Sequence, residues 1–172
     1  MSFKELIEIL KYEAKGYEGG NLFVLYMIEP RFRINVLFRC GQYLKKFGSK
    51  SYFLRLFLKN RLTLKYGFDT SFELKIDKGF TIQHIGNIVI HPKSQIGKNC
   101  KIQNCVTIGK NFLKKQKPII CDNVYIGTGV KIIGEAKVGN NCIIGANSVV
   151  IKSFEDNCII AGIPAKVIKK CK

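Results

Sequence analysis

The sequence IGKNCK at residues 96–101 returns in altered form as IGTGVK at 126–131, VGNNCI at 138–143 and IGANSV at 144–149. Each copy begins with an aliphatic residue followed by glycine, and the copies start at multiples of six residues from one another. A six-residue period matches neither the 3.6-residue turn of a helix nor the two-residue alternation of a strand. The repeat therefore predicts short strands that are separated by turns of constant length.

Aliphatic residues carry the same period through most of the C-terminal two-thirds of the chain. The series consists of Ile90, Ile96, Ile102, Ile108, Ile120, Ile126, Ile132, Val138, Ile144 and Val150. Three strands would form one triangular coil with these side chains inside it, and small residues four positions later, such as Ala136 and Ser148, would fill the narrow interior. Glycine and asparagine, which tight turns favour, stand at the corners. We therefore predict a mainly β fold of stacked coils.

Two parts of the chain depart from the repeat. Residues 1–67 lack it and show helical apolar spacing, as in SFKELIEILKYEA at 2–14, so we predict a short α-helical region there and a β-helix over 68–172. Lys114 stands where the period expects an aliphatic residue, within the polar segment 110–118. We interpret 110–118 as a loop ejected from one corner, which is either a binding element or a tolerated insertion.

The composition is that of a folded and strongly basic chain. The 172 residues have a formal net charge of +17 and are 47% apolar, enough for one core and a small appendage. Ten basic residues and no acidic one occur from Arg31 to Lys65. We keep two hypotheses for this segment: it binds a membrane surface or polyanion, or its apolar face packs on the end of the β-helix.

Several classes of protein are disfavoured by what the sequence lacks. Seven cysteines form no C-x-x-C pair and leave one unmatched in any disulfide scheme, so we expect reduced thiols. Neither a secretory signal nor an apolar run long enough for a membrane span is present, so we expect a cytoplasmic protein, or a peripheral one at the inner face of the membrane. Two histidines are too few for a three-histidine catalytic zinc, and we expect no metal.

His84 is the strongest candidate for chemistry. Counting back six residues from Ile90 places it at an inward position, where an imidazole suits the apolar interior poorly, so we expect it to point outward and act or to disturb its coil. The ordinary pKa of histidine, about 6.5, suits a general base at neutral pH. The alternative is a hydrogen-bonded corner histidine. His91 precedes Pro92 at a predicted turn, and we interpret it as structural.

A family resemblance is carried by GFTIQHIGNIVIH, IGKNCKIQNCVTIG, DNVYIGTGVKIIG, VGNNCIIGANSVV and AGIPAKVI, in this order between residues 67 and 168. These segments resemble the hexapeptide-repeat acyltransferases, and within them the serine acetyltransferases and polysaccharide O-acetyltransferases. The resemblance implies a left-handed parallel β-helix and a homotrimer with active sites in the clefts between adjacent prisms. It also implies direct transfer from acetyl-CoA to a hydroxyl acceptor, and we expect no nucleic acid partner.

The same resemblance implies roles for individual residues. His84 corresponds to the catalytic base, and Asp69 to the carboxylate that orients its imidazole. Contacts to acetyl-CoA are implied for Gly109, Thr128 and Ala146, as small residues lining the pantetheine groove, and for Lys152 and Lys166, as basic residues meeting the phosphates. Positions that bind the acceptor in the family are occupied by Gln83 and Lys117.

The acceptor is inferred from departures from the serine acetyltransferase pattern. That group has an aspartate directly before the catalytic histidine and an arginine–histidine pair before the loop proline, where this sequence has Gln83, Gln116 and Lys117. Partners for the ammonium and carboxylate of serine are thereby lost. The segment at 29–44 is similar to the lead-in of capsule and exopolysaccharide acetyltransferases. We therefore expect acetylation of a sugar hydroxyl in a bacterial surface or capsular polysaccharide or its precursor. The alternatives are a serine O-acetyltransferase of cysteine biosynthesis and a non-catalytic trimeric scaffold for polyanions or membranes.

Overall fold

A computed structural model of the chain describes residues 1–17, 21–111 and 117–171. Helices occupy its N-terminal part, and the described strands that follow form three sheets whose strands run parallel, except for one antiparallel pair at the end. Successive strands belong to successive sheets, so the chain winds around a prism. The predicted left-handed parallel β-helix of hexapeptide repeats with an α-helical N-terminal region is confirmed.

The strands are short because each covers one side of the prism. They are β1 (Phe68–Asp69), β2 (Lys75–Ile76), β3 (Thr81–Ile82), β4 (Ile88–Ile90), β5 (Gln95–Ile96), β6 (Lys101–Ile102), β7 (Thr107–Gly109), β8 (Ile119–Ile120), β9 (Tyr125–Ile126), β10 (Lys131–Ile133), β11 (Lys137–Val138), β12 (Ile143–Ile144), β13 (Val149–Val150), β14 (Cys158–Gly162) and β15 (Ala165–Lys170). Sheet A contains β1, β4, β7, β10 and β13, and sheet B contains β2, β5, β8 and β11. Sheet C contains β3, β6, β9, β12, β14 and β15.

The strand register shows where coils depart from regularity. Paired residues are 18 positions apart in a regular coil, as for Lys131 and Val149, but 24 apart for Thr107 and Lys131, because six extra residues lie between β7 and β8. They are 20 apart for Phe68 and Ile88, because the corner after Ile82 has two extra residues: six residues separate Ile82 from Val89, and four separate their partners Ile102 and Thr107. The expected inward position of His84 is therefore wrong.

The true inward residue before Ile90 is Ile82, which is fully buried. Counting back by six from Ile90 gives position 84 instead of 82. The two extra residues of the corner shift the inward positions of the first coil by two relative to those of all later coils. His84 lies in this enlarged corner and is exposed to solvent. The apolar interior therefore holds aliphatic residues in every coil, and His84 does not disturb it.

A ladder of asparagine side chains stabilises the corner between sheets B and C. Asn99, Asn123, Asn141 and Asn157 all have φ between 55° and 58°, a left-handed conformation that asparagine tolerates. Each of the first three donates its side-chain N–H to the side-chain oxygen of the next at 3.0 Å. The Tyr12 hydroxyl donates to Asn99 Oδ1 at 3.0 Å and so ends the ladder at the first coil.

The helical region comprises α1 (Phe3–Ala14), α2 (Leu22–Ile28), α3 (Pro30–Leu44) and α4 (Tyr52–Asn60). A 3₁₀ segment, Lys45–Ser51, precedes α4 and a π-helical turn, Arg61–Lys65, follows it. Apolar side chains of α3, including Ile34 and Phe38, belong to the same buried cluster as Phe68 of the first coil. Helix α3 thus packs its apolar face on the end of the β-helix. None of the helices within the described ranges has the length and hydropathy needed to cross a bilayer.

A buried ion pair joins α1 and α3 to the first coil. Arg39 Nη2 lies 2.6 Å from Glu13 Oε1, and the Glu13 side chain is 0% exposed. Arg39 also donates to the backbone carbonyl oxygens of Ile76 and Asp77, at 2.8 Å in each case. Burial raises the pKa of Glu13, and the positive charge of Arg39 acts against that rise. Since both charges are enclosed, the pair fixes how the helices sit on the prism.

Candidate active site

His84 lies at the corner where the first coil passes from sheet C to sheet A. The turn requires φ angles of 131° at Gly86 and 43° at Asn87, a region that glycine enters freely and asparagine more readily than most residues. This corner contains two more residues than the equivalent corners of later coils, and the wider turn places His84 outside the prism. A solvent-accessible imidazole at an open corner can exchange a proton with a bound substrate.

Two side chains of the helical region brace this corner. Arg31 Nη1 donates to the carbonyl oxygen of Gln83 at 3.0 Å, and the Tyr17 hydroxyl accepts from the backbone N–H of Ile82 at 3.1 Å. Arg31 is held in turn by Glu29, with 2.5 Å between Nη2 and Oε2, and this bond lowers the pKa of the Glu29 carboxyl. The sequence did not point to Arg31 and Tyr17, because their contacts span 52 and 65 residues and leave no local pattern.

The corners in line with His84 carry three other residues assigned from the family resemblance. Thr128 and Ala146 occupy the same corner two and three coils further along, and Ala146 is exposed. Lys166 lies in β15 opposite Ala161, at the end of β14 on the same side of the prism. These residues define the His84 edge, which runs from the first coil to the last. Small side chains along such an edge leave room for an extended ligand.

The other residues assigned to acetyl-CoA lie across sheet A, at the corner that leads to sheet B. Gly109 ends β7, and Lys152 follows β13 with its Nζ 5.7 Å from the Phe154 ring centroid. Lys117, which the family resemblance assigned to the acceptor, precedes β8 at the same corner and is half-buried. We call this the Gly109 edge. Most of the predicted loop 110–118, including Gln116, lies outside the described residues.

Asp69 lies in a cleft on the outer face of sheet A. The cleft has a volume of about 360 Å³, and Lys59, Asp69, His91, Gly109 and Lys110 are among its lining residues. Asp69 and His84, both of which the structure describes, share no hydrogen bond. The cleft therefore offers one carboxylate and two ammonium groups beside the Gly109 edge.

His91 lines the same cleft, which the sequence did not indicate. Its Nδ1 accepts from the backbone N–H of Lys93 at 3.2 Å, a turn contact of the kind expected of a structural histidine. Burial lowers the pKa of His91, and the positive charges of Lys110 and Lys93 lower it further. Both effects favour the neutral form of the imidazole. In the part of the chain that the structure describes, no group of three or more histidine, cysteine or acidic side chains is placed to hold a metal ion.

Comparison with known proteins decides the family. The profile of the bacterial transferase hexapeptide family (six repeats) matches residues 117–152. The chain belongs to the hexapeptide-repeat transferase family. The serine acetyltransferase of Buchnera aphidicola subsp. Acyrthosiphon pisum is 34% identical over 136 residues, which are 77% of this chain and 49% of that protein. The chain thus spans about half the length of the curated relatives it matches.

Solved structures of this hexapeptide-repeat group share the fold. A Neisseria gonorrhoeae serine acetyltransferase in complex with serine has a TM-score of 0.84 and 24% identity, and the alignment covers 98% of this chain and 71% of that one. At this identity, the likeness shows the fold alone. A serine acetyltransferase in complex with CoA has a TM-score of 0.81 and 27% identity, with 96% and 70% of the two chains covered.

These relatives correct the expected acceptor. They are serine acetyltransferases, so the expectation of a polysaccharide acceptor, and of a part in polysaccharide biosynthesis, is wrong. The expectation depended on Gln83, Gln116 and Lys117, which replace residues of the serine acetyltransferase pattern. These replacements remove partners for the ammonium and carboxylate of serine, but they do not indicate a different acceptor. The cleft on sheet A contains other charged groups, Lys59 and Lys110, that such an argument overlooks.

Proposed function

We propose that the chain is a serine O-acetyltransferase, which transfers the acetyl group of acetyl-CoA to the hydroxyl of L-serine. The observation that carries the proposal is the 34% identity over 136 residues to a serine acetyltransferase. The exposed His84 at an edge with small residues supports it. The product, O-acetylserine, would feed cysteine synthesis. Because acetyl-CoA is an intracellular thioester, the reaction belongs in the cytoplasm.

His84 acts as the general base in this mechanism. Its imidazole takes the proton of the serine hydroxyl as the oxygen attacks the thioester carbonyl carbon, and a backbone N–H stabilises the negative charge on the carbonyl oxygen. When the tetrahedral intermediate collapses, the carbon–sulfur bond breaks and the CoA sulfur takes the proton from His84. The acetyl group passes directly to serine. No acyl-enzyme is required, since the attacking hydroxyl belongs to the acceptor.

Asp69 orients the imidazole of His84 once the substrates are bound. Its strand, β1, pairs with β4, the strand that follows the His84 corner, and in that pairing Asp69 lies beside Val89. Hydrogen bonds between catalytic groups are often long or absent without substrate and tighten in the complex. Asp69→Asn should therefore lower kcat without raising KM for acetyl-CoA. An unchanged kcat and pH profile would remove Asp69 from the mechanism.

Acetyl-CoA lies along the His84 edge. Thr128 and Ala146 leave space for the pantetheine arm, and Lys166 reaches the phosphates at the far end of the β-helix. Gly109 and Lys152 line the same groove from a neighbouring chain, because on one chain they lie across sheet A from the His84 edge. We therefore infer a homotrimer in which the His84 edge of each prism faces the Gly109 edge of the next.

Serine requires a partner for its ammonium and one for its carboxylate. The side-chain oxygen of Gln83, next to the base, can accept from the ammonium. Positive charge for the carboxylate is available at the Gly109 edge from Lys117, and in the adjoining cleft from Lys59 and Lys110. The contacts to serine thus come from the His84 edge of one chain and the Gly109 edge of its neighbour.

The acceptor is tested by measuring release of free CoA thiol with L-serine, D-serine, glycine and a panel of hexoses. Mass spectrometry then identifies the product. The proposal predicts release that depends on L-serine, with formation of O-acetyl-L-serine. Glycine, which has no hydroxyl, is the matched control and should give only background hydrolysis. Turnover with a hexose but not with L-serine would refute the proposal.

The shared groove is tested by complementation between two inactive variants. His84→Ala lacks the base, and Gly109→Trp fills the groove from the other edge; a Cβ at Gly109 meets nothing closer than 3.4 Å, so the fold should accept the change. In trimers formed at random from equal amounts of both chains, about one quarter of the sites combine the two intact edges. Activity near that fraction is expected. Activity no greater than the sum of the parents would refute a groove between chains.

A further inference from the structure

The outer surface of α4 and of the π-helical turn after it is apolar. Along this continuous helix, Leu58 and Leu62 face inward and are buried. Phe53, Phe57 and Leu64 lie on the opposite side and are 82%, 57% and 85% exposed. Large apolar side chains this exposed, and this close together, are uncommon on a soluble surface without a partner.

Basic residues lie on the same helix, on the turn after it and on the 3₁₀ segment before it. Lys46, Lys50, Lys59, Arg61 and Lys65 are exposed, and between residues 30 and 68 the sequence has no acidic residue. None of these five forms an ion pair with a residue that the structure describes. Their positive charge is therefore not neutralised within the described chain. We call the three apolar and five basic residues together the α4 face.

We propose that the α4 face binds the surface of an anionic lipid bilayer, with the helix lying in the plane of the interface. Anionic headgroups would meet the lysine and arginine side chains, and the acyl region would receive the exposed apolar ones, as for basic amphipathic helices at membranes. A second copy related by a two-fold axis is a poorer occupant, because two α4 faces in contact would set like charges against each other, and the chain has 29 basic residues to 12 acidic ones.

The binding surface is independent of the transferase reaction. Arg61, Lys65, Phe53 and Phe57 line neither edge described above, so lipid binding and serine acetylation can fail separately. Lys59 alone belongs also to the cleft beside Asp69, and it is left unchanged in the test. Arg61 and Lys65 supply the charge variants, and Phe53 and Phe57 supply the apolar variants.

The test is flotation of the full chain with two kinds of vesicle, one of phosphatidylcholine alone and one in which about one third of the lipid is phosphatidylglycerol. We expect binding to the anionic vesicles that weakens as salt is raised. Arg61→Glu/Lys65→Glu should reduce the partition coefficient at least about 30-fold, equivalent to about 1 kcal/mol for each basic residue near the surface. Phe53→Ser/Phe57→Ser should reduce it at least tenfold, since each phenyl ring loses its apolar burial.

Matched controls change the same chemistry elsewhere. Lys4→Glu/Lys11→Glu alters two exposed charges on α1, and Ile163→Ser/Ile168→Ser removes two apolar side chains that are 74% and 66% exposed. Both controls should bind like the wild type. Equal binding to neutral vesicles, or equal losses in variants and controls, would overturn the proposal. It would also be overturned by absent vesicle binding together with self-association that Phe53→Ser/Phe57→Ser abolishes, because a second copy would then cover the face. Thiol release with L-serine, measured without vesicles, keeps this result separate from the proposed function.

Discussion

Removing Glu13 should destabilise the protein more than any exposed charge does. Glu13→Ala leaves the Arg39 guanidinium without its counter-ion in a site where its side chain is only 4% exposed. Three hydrogen bonds to the carboxylate disappear, two from Arg39 and one from Asn35. Breaking one side of a buried ion pair typically costs about 3–5 kcal/mol, because the remaining charge stays buried. For a chain of this size that corresponds to a fall in Tm of about 6–20 °C.

The assay for this prediction is urea unfolding followed by circular dichroism, together with a thermal scan. The matched control is Glu155→Ala, which breaks a solvent-exposed ion pair with Lys170 at 2.8 Å and should leave Tm unchanged. The expected result is a large loss of unfolding free energy for Glu13→Ala alone. If both variants lose the same small amount, the buried pair does not hold the helices on the first coil, and the reasoning from burial is wrong.

Three further predictions concern the coils and the groove. Asn123→Ala should cost about 1–2 kcal/mol more unfolding free energy than Asn123→Gly in urea, because both lose the ladder contacts but only alanine is strained at a φ of 57°. Hydrogen bonds from Asn140 lower the pKa of Asp156. The stability that this carboxylate contributes is therefore present above about pH 4 and is lost as pH falls through the lowered pKa. Asp156→Asn should flatten the plot of Tm against pH below about pH 4. Ala146→Trp, at an exposed corner of the proposed groove, should raise KM for acetyl-CoA at least tenfold, and an unchanged KM in steady-state assays would place the cofactor elsewhere.

The prism could be predicted because one property of the chain repeats. Every sixth residue from Ile90 to Val150, apart from position 114, is aliphatic, and only stacked coils bury all of them at once. The phase of the first coil could not be obtained by extending that series backward, because two extra residues lie between Ile82 and Ile90. Ile76 and Ile82 form a short series of their own, and this signal could have revealed the shift and placed His84 at a corner.

The surroundings of the site were harder to predict. The contacts of Arg31 and Tyr17 with the corner arise from the way the helices pack on the first coil, and no short pattern encodes a hydrogen bond across 52 or 65 residues. The cleft that contains Asp69 and His91 is formed by neighbouring strands that are distant in sequence. The acceptor was inferred wrongly because Gln83 and Lys117 were treated as the whole of its binding site.

The central claim is that His84 is the base for acetylation of L-serine. It is tested most directly by the steady-state rate of L-serine-dependent CoA release by the wild type and by His84→Ala, with Tm measured to show that the exposed corner has kept its fold. A positioned general base contributes about 10²–10⁴-fold, so kcat should fall by that factor with Tm unchanged. A rate for His84→Ala equal to that of the wild type, or release that does not depend on L-serine in either protein, would contradict the account.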